Sequence, residues 1–404
     1  MATLLKKPSD FSTFGPSILA RQTRGQLRGS DLPEDRLEAR RMLREKCPLE
    51  PGVYGWLDDN RQLVYVGKSK SLRKRLLSYF AKTPSDKKAE RIRRHSCYLV
   101  WEPISCELLA LIREQELIHR WRPEFNSQGQ PTRTQPAFLC VGGSPAANAR
   151  LVRRLTPKSD KAYGPIRGTG QLRESIIALN HVFHLRDCPD QTKFQFSNQQ
   201  LLFGERATAK CIRHELGTCP GPCVGHCSTS DYQSNVNRML EFLDGRNKNF
   251  LAGLETQMQQ AAADAAFERA AIIRDNWEQL TWLDRRLAGL RRAYKHLNGV
   301  LPVQARRNRT AWLVLKGGRI VLSAKLPTEP EKAAKLLCEI ENSASRSSEL
   351  PANILEMNLQ LIVISWLRKY PDMRKQMIGF PDAISHLAQI AEGQFAGQPF
   401  LASA

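Results

Sequence analysis

Two short stretches hold tyrosines beside glycines, Gly-Val-Tyr at 52–54 and Tyr-Val-Gly at 65–67, and a dense run of cations follows them. A strand pair could use Tyr54 and Tyr65 structurally, but it has no need of the cations. Residues 61–95 hold twelve Lys and Arg, opposed only by Asp86 and Glu90. A solvated helix face usually mixes signs, so this run points to phosphate. Glu114 is the second signal. On a helix its neighbours three and four residues away are Ala110, Leu111, Leu117 and Ile118, so it interrupts an apolar stripe. A buried carboxylate must be paired or must bind a metal. The pattern alone favours a salt bridge to a nearby arginine. Glu116, beside Ile112, Arg113, His119 and Arg120, reads as lying on a mostly solvated face. The third signal is five cysteines between 188 and 227. In a reducing compartment such a cluster reads as a metal site.

The elements that must position these groups are legible. The stretches "GVYGWL", "QLVYVG" and "CYLVWEPI" alternate as strands, with a turn at "DDNR" between the first two. Helices are expected over 71–80, opened by Ser71, over 86–95, and over 105–122. Residues 1–46 read as an extension without chemistry, ending in a short helix opened by "DLPED". "RPEFN" closes an α/β unit at 47–127, and the polar linker "NSQGQPTRTQP" follows. Residues 128–230 form a mixed, cysteine-rich region with a helix at 171–183, and 231–296 a helical pair. Residues 297–404 form a small α+β region, with a hairpin turning at Gly317-Gly318 and helices near 329–345 and 351–369.

The net charge of +21 over 404 residues fits a nucleic-acid partner. No window holds the ~18 uninterrupted apolar residues of a membrane helix, and no apolar core follows Lys6 and Lys7. A cytoplasmic protein without a membrane partner is expected.

Residues 51–80, "PGVYGWLDDNRQLVYVGKSKSLRKRLLSYF", together with "ELLALIREQELIHRWRPEFN", resemble the GIY-YIG nuclease domain at the N-terminus of the UvrC family. The resemblance implies a metal-dependent phosphodiesterase. Tyr65 would be the general base or water-positioning phenol, and Lys68 would favour its phenolate. Tyr54 and Tyr79 would support the pocket, and Arg75 would bind the scissile phosphate. Glu114 would hold one Mg²⁺ or Mn²⁺ ion, and Asn126 would support the site from the end of the domain. Lys70, Arg73, Lys74, Arg91, Arg93 and Arg94 are the expected DNA contacts.

The resemblance continues through "AYGP", "LRDC" and "CIRHELGTCPGPC". It implies a ligand set of Cys188, Cys211, Cys219 and Cys223, proposed in the family to hold a [4Fe-4S] cluster. Four thiolates suit zinc equally, and Cys227 offers an alternative ligand. "AAADAAFERAAIIRDNWEQL" resembles the UVR motif through which UvrC and UvrB associate. Phe267, Ala270, Ile273, Arg274 and Trp277 are the expected partner contacts. The RNase H-like and helix-hairpin-helix domains of full-length UvrC are not recognisable. The expected activity is therefore one incision, 3′ to a lesion in double-stranded DNA, as in the shorter Cho-type homologues. A binding regulator without catalysis, or an independent GIY-YIG nuclease, would use the same scaffold.

Overall fold

The computed structural model describes residues 11–81, 87–126, 135–156, 161–189, 191–199, 211–306, 309–345 and 350–393. Two units result, one from the two ends of the chain (Met1–Pro131 with Ala293–Ala404) and one from its middle (Thr132–Arg292). The linker expected at 126–136 lies largely outside the described residues.

The alternating segments pair as expected. Strand β2 (Gly52–Leu57) turns through 58–62 into β3 (Leu63–Ser69), and its other edge pairs with β4 (Tyr98–Pro103). A fourth strand was not expected. β1 (Arg28–Asp31), from the supposedly inert N-terminal extension, runs antiparallel to β4, giving the order β1-β4-β2-β3. Helix α1 (Arg36–Lys46) is capped by Asp35, whose carboxylate accepts from the N–H groups of Leu37 and Glu38. Helices α2 (Leu72–Ser78), α3 (Lys87–Arg94) and α4 (Glu107–Trp121) complete this part. Trp56 and Trp101 are almost fully buried on one face of the sheet; α4 packs on the other, with Val53, Val66, Leu109 and Ile112.

The middle unit begins with β5 (Ala137–Gly142) between β6 (Asn148–Val152) and β7 (Lys161–Ile166), covered by α5 (Thr169–Val182). After the cysteine region come α6 (Thr229–Leu243), α7 (Phe250–Ala263) and the long α8 (Phe267–His296). Ser228 and Asp231 close a reciprocal cap at the start of α6.

The chain then returns to the first unit as a three-stranded meander, β8 (Gly299–Ala305), β9 (Arg309–Lys316) and β10 (Arg319–Lys325). The expected turn at Gly317 and Gly318 is present, both with positive φ, +57° and +76°. Helices α9 (Pro330–Ser345), α10 (Ile354–Lys369) and α11 (Phe380–Ala391) follow. Leu301, Leu313, Leu355 and Val363 share one core with Val53, Leu109 and Ile112, so α10 is a wall of the same unit as α4. Among the described residues no helix is long and apolar enough to cross a membrane.

Candidate active site

Register explains the two tyrosine motifs. Tyr54 lies opposite Gly67 and Trp56 opposite Tyr65, so all four positions face one side of the sheet. A Cβ on Gly67 would stand 2.6 Å from the Tyr54 phenol oxygen. A Cβ on Gly52 would stand 2.5 Å from the Glu102 carbonyl. The glycines are there to let a ring and a neighbouring strand come close. Gly67→Ala is therefore expected to push the Tyr54 phenol aside, destabilise the fold by about 1–3 kcal/mol and slow cleavage. Denaturant unfolding and a cleavage time course check this, and wild-type values for both would remove the packing reason for the glycine.

Helix α2 brings the remaining groups. The hydroxyls of Tyr54 and Tyr79 are 2.9 Å apart, and Arg75 Nε donates to the Tyr54 oxygen at 3.3 Å. The Arg75 guanidinium stands 5.0 Å from the Tyr79 ring centroid, and the Tyr54 and Tyr65 ring centroids are 6.2 Å apart. Arg75 is nonetheless exposed and open to an incoming anion. Burial pushes all three phenols well above the ordinary tyrosine range. At Tyr65 the neighbouring Tyr79 and Glu114 push the same way, and Arg75 pulls against them.

Asn126 acts on the backbone. Its amide accepts from Val66 N–H and donates to Val66 C=O, both at 2.7 Å, while Phe125 N–H donates to Val64 C=O at 3.0 Å. These bonds clasp β3 on either side of Tyr65.

Glu114 lies in α4 and forms no ion pair among the described residues. Its carboxyl is pushed up to about 7, by burial first, with the ammonium and the backbone N–H of Lys68 opposing. The Lys68 ammonium itself is 3.2 Å from Glu107, whose other oxygen lies 3.0 Å from Lys70. The Lys68 ammonium expected to favour a Tyr65 phenolate is thus engaged by Glu107, while burial pushes the Tyr65 phenol up.

The expected salt bridge exists, but at the carboxylate read as solvated. Glu116 is fully buried, and its oxygens take bonds from Arg113 at 2.9 Å, Ser17 Oγ at 2.6 Å and Ile18 N–H at 2.8 Å. Arg113 also donates to Glu102 at 3.0 Å, and Arg24 donates to the other oxygen of Glu102 at 3.2 Å. The N-terminal segment supplies this cover, which helical neighbours in sequence could not reveal.

Of the expected DNA contacts, Lys70, Lys74, Arg91 and Arg94 are exposed. Arg73 donates to the Cys47 carbonyl at 2.6 Å, and Arg91 lies 3.8 Å from Glu124. Lys88, not singled out before, stands 5.5 Å from the Tyr65 ring centroid.

In the middle unit the "LRDC" arginine has a clear duty. Arg186 is 2% exposed and donates to the carbonyls of Ala146 and Cys188, while Arg213 pairs with Asp187 at 2.8 Å. These bonds fix the chain around Cys188. Cys188, Cys211, Cys219, Cys223 and Cys227 lie in one neighbourhood, and burial raises the thiols of Cys219, Cys223 and Cys227. Yet among the described residues no three metal-ligating side chains approach closely enough to hold an ion. The donor chemistry suits iron–sulfur or zinc; the positions do not fit either. The neighbourhood also holds a bonded imidazole pair, His214 and His226, 2.6 Å apart.

Along the hairpin of α7 and α8, Phe267 is 70% exposed and Arg274 is exposed, whereas Ala270 is buried. Ile273 and Trp277 are half-buried. Ile272, not among the expected partner contacts, is 54% exposed beside them.

The fold and the tyrosine–arginine cluster define a GIY-YIG-type domain, and residues 50–127 match the UvrC-like GIY-YIG domain. Residues 139–242 match the UvrC/Cho excinuclease middle domain, and residues 248–278 the UvrB/uvrC motif. Three successive stretches of the chain thus match models of the UvrC family. The chain is 33% identical over 237 residues to UvrABC system protein C of Shewanella halifaxensis, covering 58% of this chain and 36% of that one. Over 230 residues it is 33% identical to the protein of the same name from Pseudomonas putida, covering 57% and 36%. The chain thus spans about a third of the length of these relatives. The GIY-YIG N-terminal endonuclease domain of UvrC from Thermotoga maritima, bound to magnesium, is 34% identical, covering 22% of this chain and 93% of that one, with a TM-score of 0.20.

Proposed function

We propose that this chain is a DNA-repair endonuclease of nucleotide excision repair that hydrolyses one phosphodiester bond 3′ to a lesion. A UvrB-type protein presents the damaged duplex in the cytoplasm. The observation that carries the reading is a half-buried carboxylate that forms no ion pair among the described residues, Glu114, set beside Tyr65 in a cluster with Tyr54, Tyr79 and Arg75.

A carboxyl held near pH 7 by burial is a ready ligand for a hard divalent ion, which would remove the cause of its shift. When bound there, Mg²⁺ or Mn²⁺ supplies Lewis-acid stabilisation of the phosphate and a more acidic water. The residues do the rest. Arg75, exposed and always charged, binds the scissile phosphate and stays with it as charge develops. Tyr65 is neutral at working pH, so it orients the attacking water through its hydroxyl. Tyr79 and Tyr54 fix that hydroxyl's neighbourhood, and Asn126 fixes the strand that carries it. Phe267 and Ile272, exposed on the hairpin, support a helical partner of UvrB type.

The test is a 5′-labelled duplex with one bulky lesion, loaded with a UvrB-type protein and Mg²⁺. Wild type is expected to give a single cut on the 3′ side. Tyr65→Phe is expected to lose about a hundredfold in rate. Partner binding without any cut would leave a regulator; cutting without lesion or partner would leave an independent nuclease.

A further inference from the structure

The C-terminal region lies outside the three family matches reported above, and α10 packs antiparallel along α4, the helix that carries Glu114. Asn358 near the start of α10 bonds His119 near the end of α4 at 3.0 Å. The end of α10 therefore arrives at the start of α4, where Glu107 holds Lys68 and Lys70. Tyr370 lies within electrostatic range of the Lys70 ammonium there.

What arrives is an aromatic pair surrounded by cations. The rings of Trp366 and Tyr370 have centroids 4.2 Å apart, and Trp366 Nε1 donates to Met373 Sδ at 3.0 Å. Lys369 Nζ stands 5.3 Å from the Tyr370 ring centroid. Arg368, Lys369, Arg374 and Lys375 are all exposed, against Asp372 alone. Half-buried aromatic rings among exposed cations are the arrangement that takes a base on its face and phosphates at its rim.

We propose that Tyr370, with Trp366 behind it and Lys369 and Arg374 beside it, is a second DNA-binding site that holds the strand leading into the nuclease centre. The proposal rests on the nuclease reading above. Glu107 and Glu114 are seven residues apart on α4, which is about 10 Å along a helix. At 3.4 Å per nucleotide along one duplex strand, the site would engage DNA about three nucleotides from the scissile phosphate. This gives the C-terminal region a task in the same reaction: it anchors the strand while Arg75 holds the phosphate to be cut.

The experiment measures binding of the full chain to a fluorescein-labelled, lesion-containing duplex by anisotropy in EDTA, and cleavage in Mg²⁺ in parallel. Tyr370→Ala is expected to weaken binding about five- to hundredfold, and Tyr370→Phe to leave it near wild type. Lys369→Ala with Arg374→Ala should flatten the salt dependence by about 0.9 in log–log slope per phosphate lost. These two cations are exposed, so this pair carries the test if Tyr370→Ala disturbs folding. Shortening the duplex to two nucleotides beyond the cut, on the side of the contact, should abolish the difference between wild type and Tyr370→Ala. Unchanged affinity and salt slope in these variants, with wild type still cutting, would overturn the second site alone. A wild type that neither binds nor cuts would overturn the nuclease reading with it.

Discussion

Glu114→Gln is expected to lower the cleavage rate by on the order of 10³-fold, to spare DNA binding, and to make the metal-free protein more stable above pH 7. The combination follows from one fact. Burial holds the Glu114 carboxyl near 7 instead of its ordinary 4.5. Below the unfolded value both states carry the proton, and the preference of the fold for the neutral acid is fully present. As pH rises towards 7 the unfolded chain loses its proton first, so that stability is progressively lost. Glutamine is neutral throughout, so the variant should keep about 1–3 kcal/mol that wild type has given up at pH 8. The same reasoning makes divalent-ion binding by wild type weaken about tenfold per pH unit below 7, because proton and ion compete for one carboxylate. Calorimetric titration with Mn²⁺ from pH 6 to 8 and thermal melts in EDTA read both effects. Wild-type turnover by the variant would remove Glu114 as ligand. Equal stability at pH 8 would show that the charge already has a partner.

The parts legible in the sequence were those decided by near neighbours. Strand alternation and the Gly317-Gly318 turn are local, and Gly67 could be suspected because it stood beside a tyrosine. Glu114 stood out because its helical neighbours are apolar. The misreading of Glu116 has the opposite cause. Its burial comes from Ser17 and Ile18, 99 and 98 positions away, and no periodicity on α4 records them. Glu107 was passed over because an acidic residue in a first helical turn is ordinary. Only the register of β3 against α4 shows that it engages Lys68 and Lys70. The cysteines are a third case. Their spacing states which donors are available but not how closely the loops bring them, and closeness decides whether a metal is held.

Arg113→Met is expected to cost about 3–5 kcal/mol of stability, the largest structural loss of any change considered. The guanidinium is 1% exposed and serves two carboxylates and two carbonyls at once: Glu102, Glu116, Gly15 and Pro16. Methionine fills much of the volume, so packing is not the main loss. The loss is a cation between buried anions. Burial already raises the Glu116 carboxyl in spite of Arg113, and removing Arg113 raises it further. The deficit should accordingly shrink as pH falls and the Glu116 carboxyl takes up a proton, and Glu116→Gln should rescue part of it at pH 8. Urea unfolding at pH 8 and pH 5 of both single variants and the double variant gives the cycle. The N-terminal segment should also loosen, because Gly15, Pro16, Ser17 and Ile18 all bond into this network, and limited proteolysis before β1 reports that. If Arg113→Met unfolds within 1 kcal/mol of wild type at pH 8, the segment is held by Phe14 and Leu19 in the core and the ion network adds little. In that case Arg113 and Glu116 set the rotation of α4, and with it the aim of Glu114, more than they set stability.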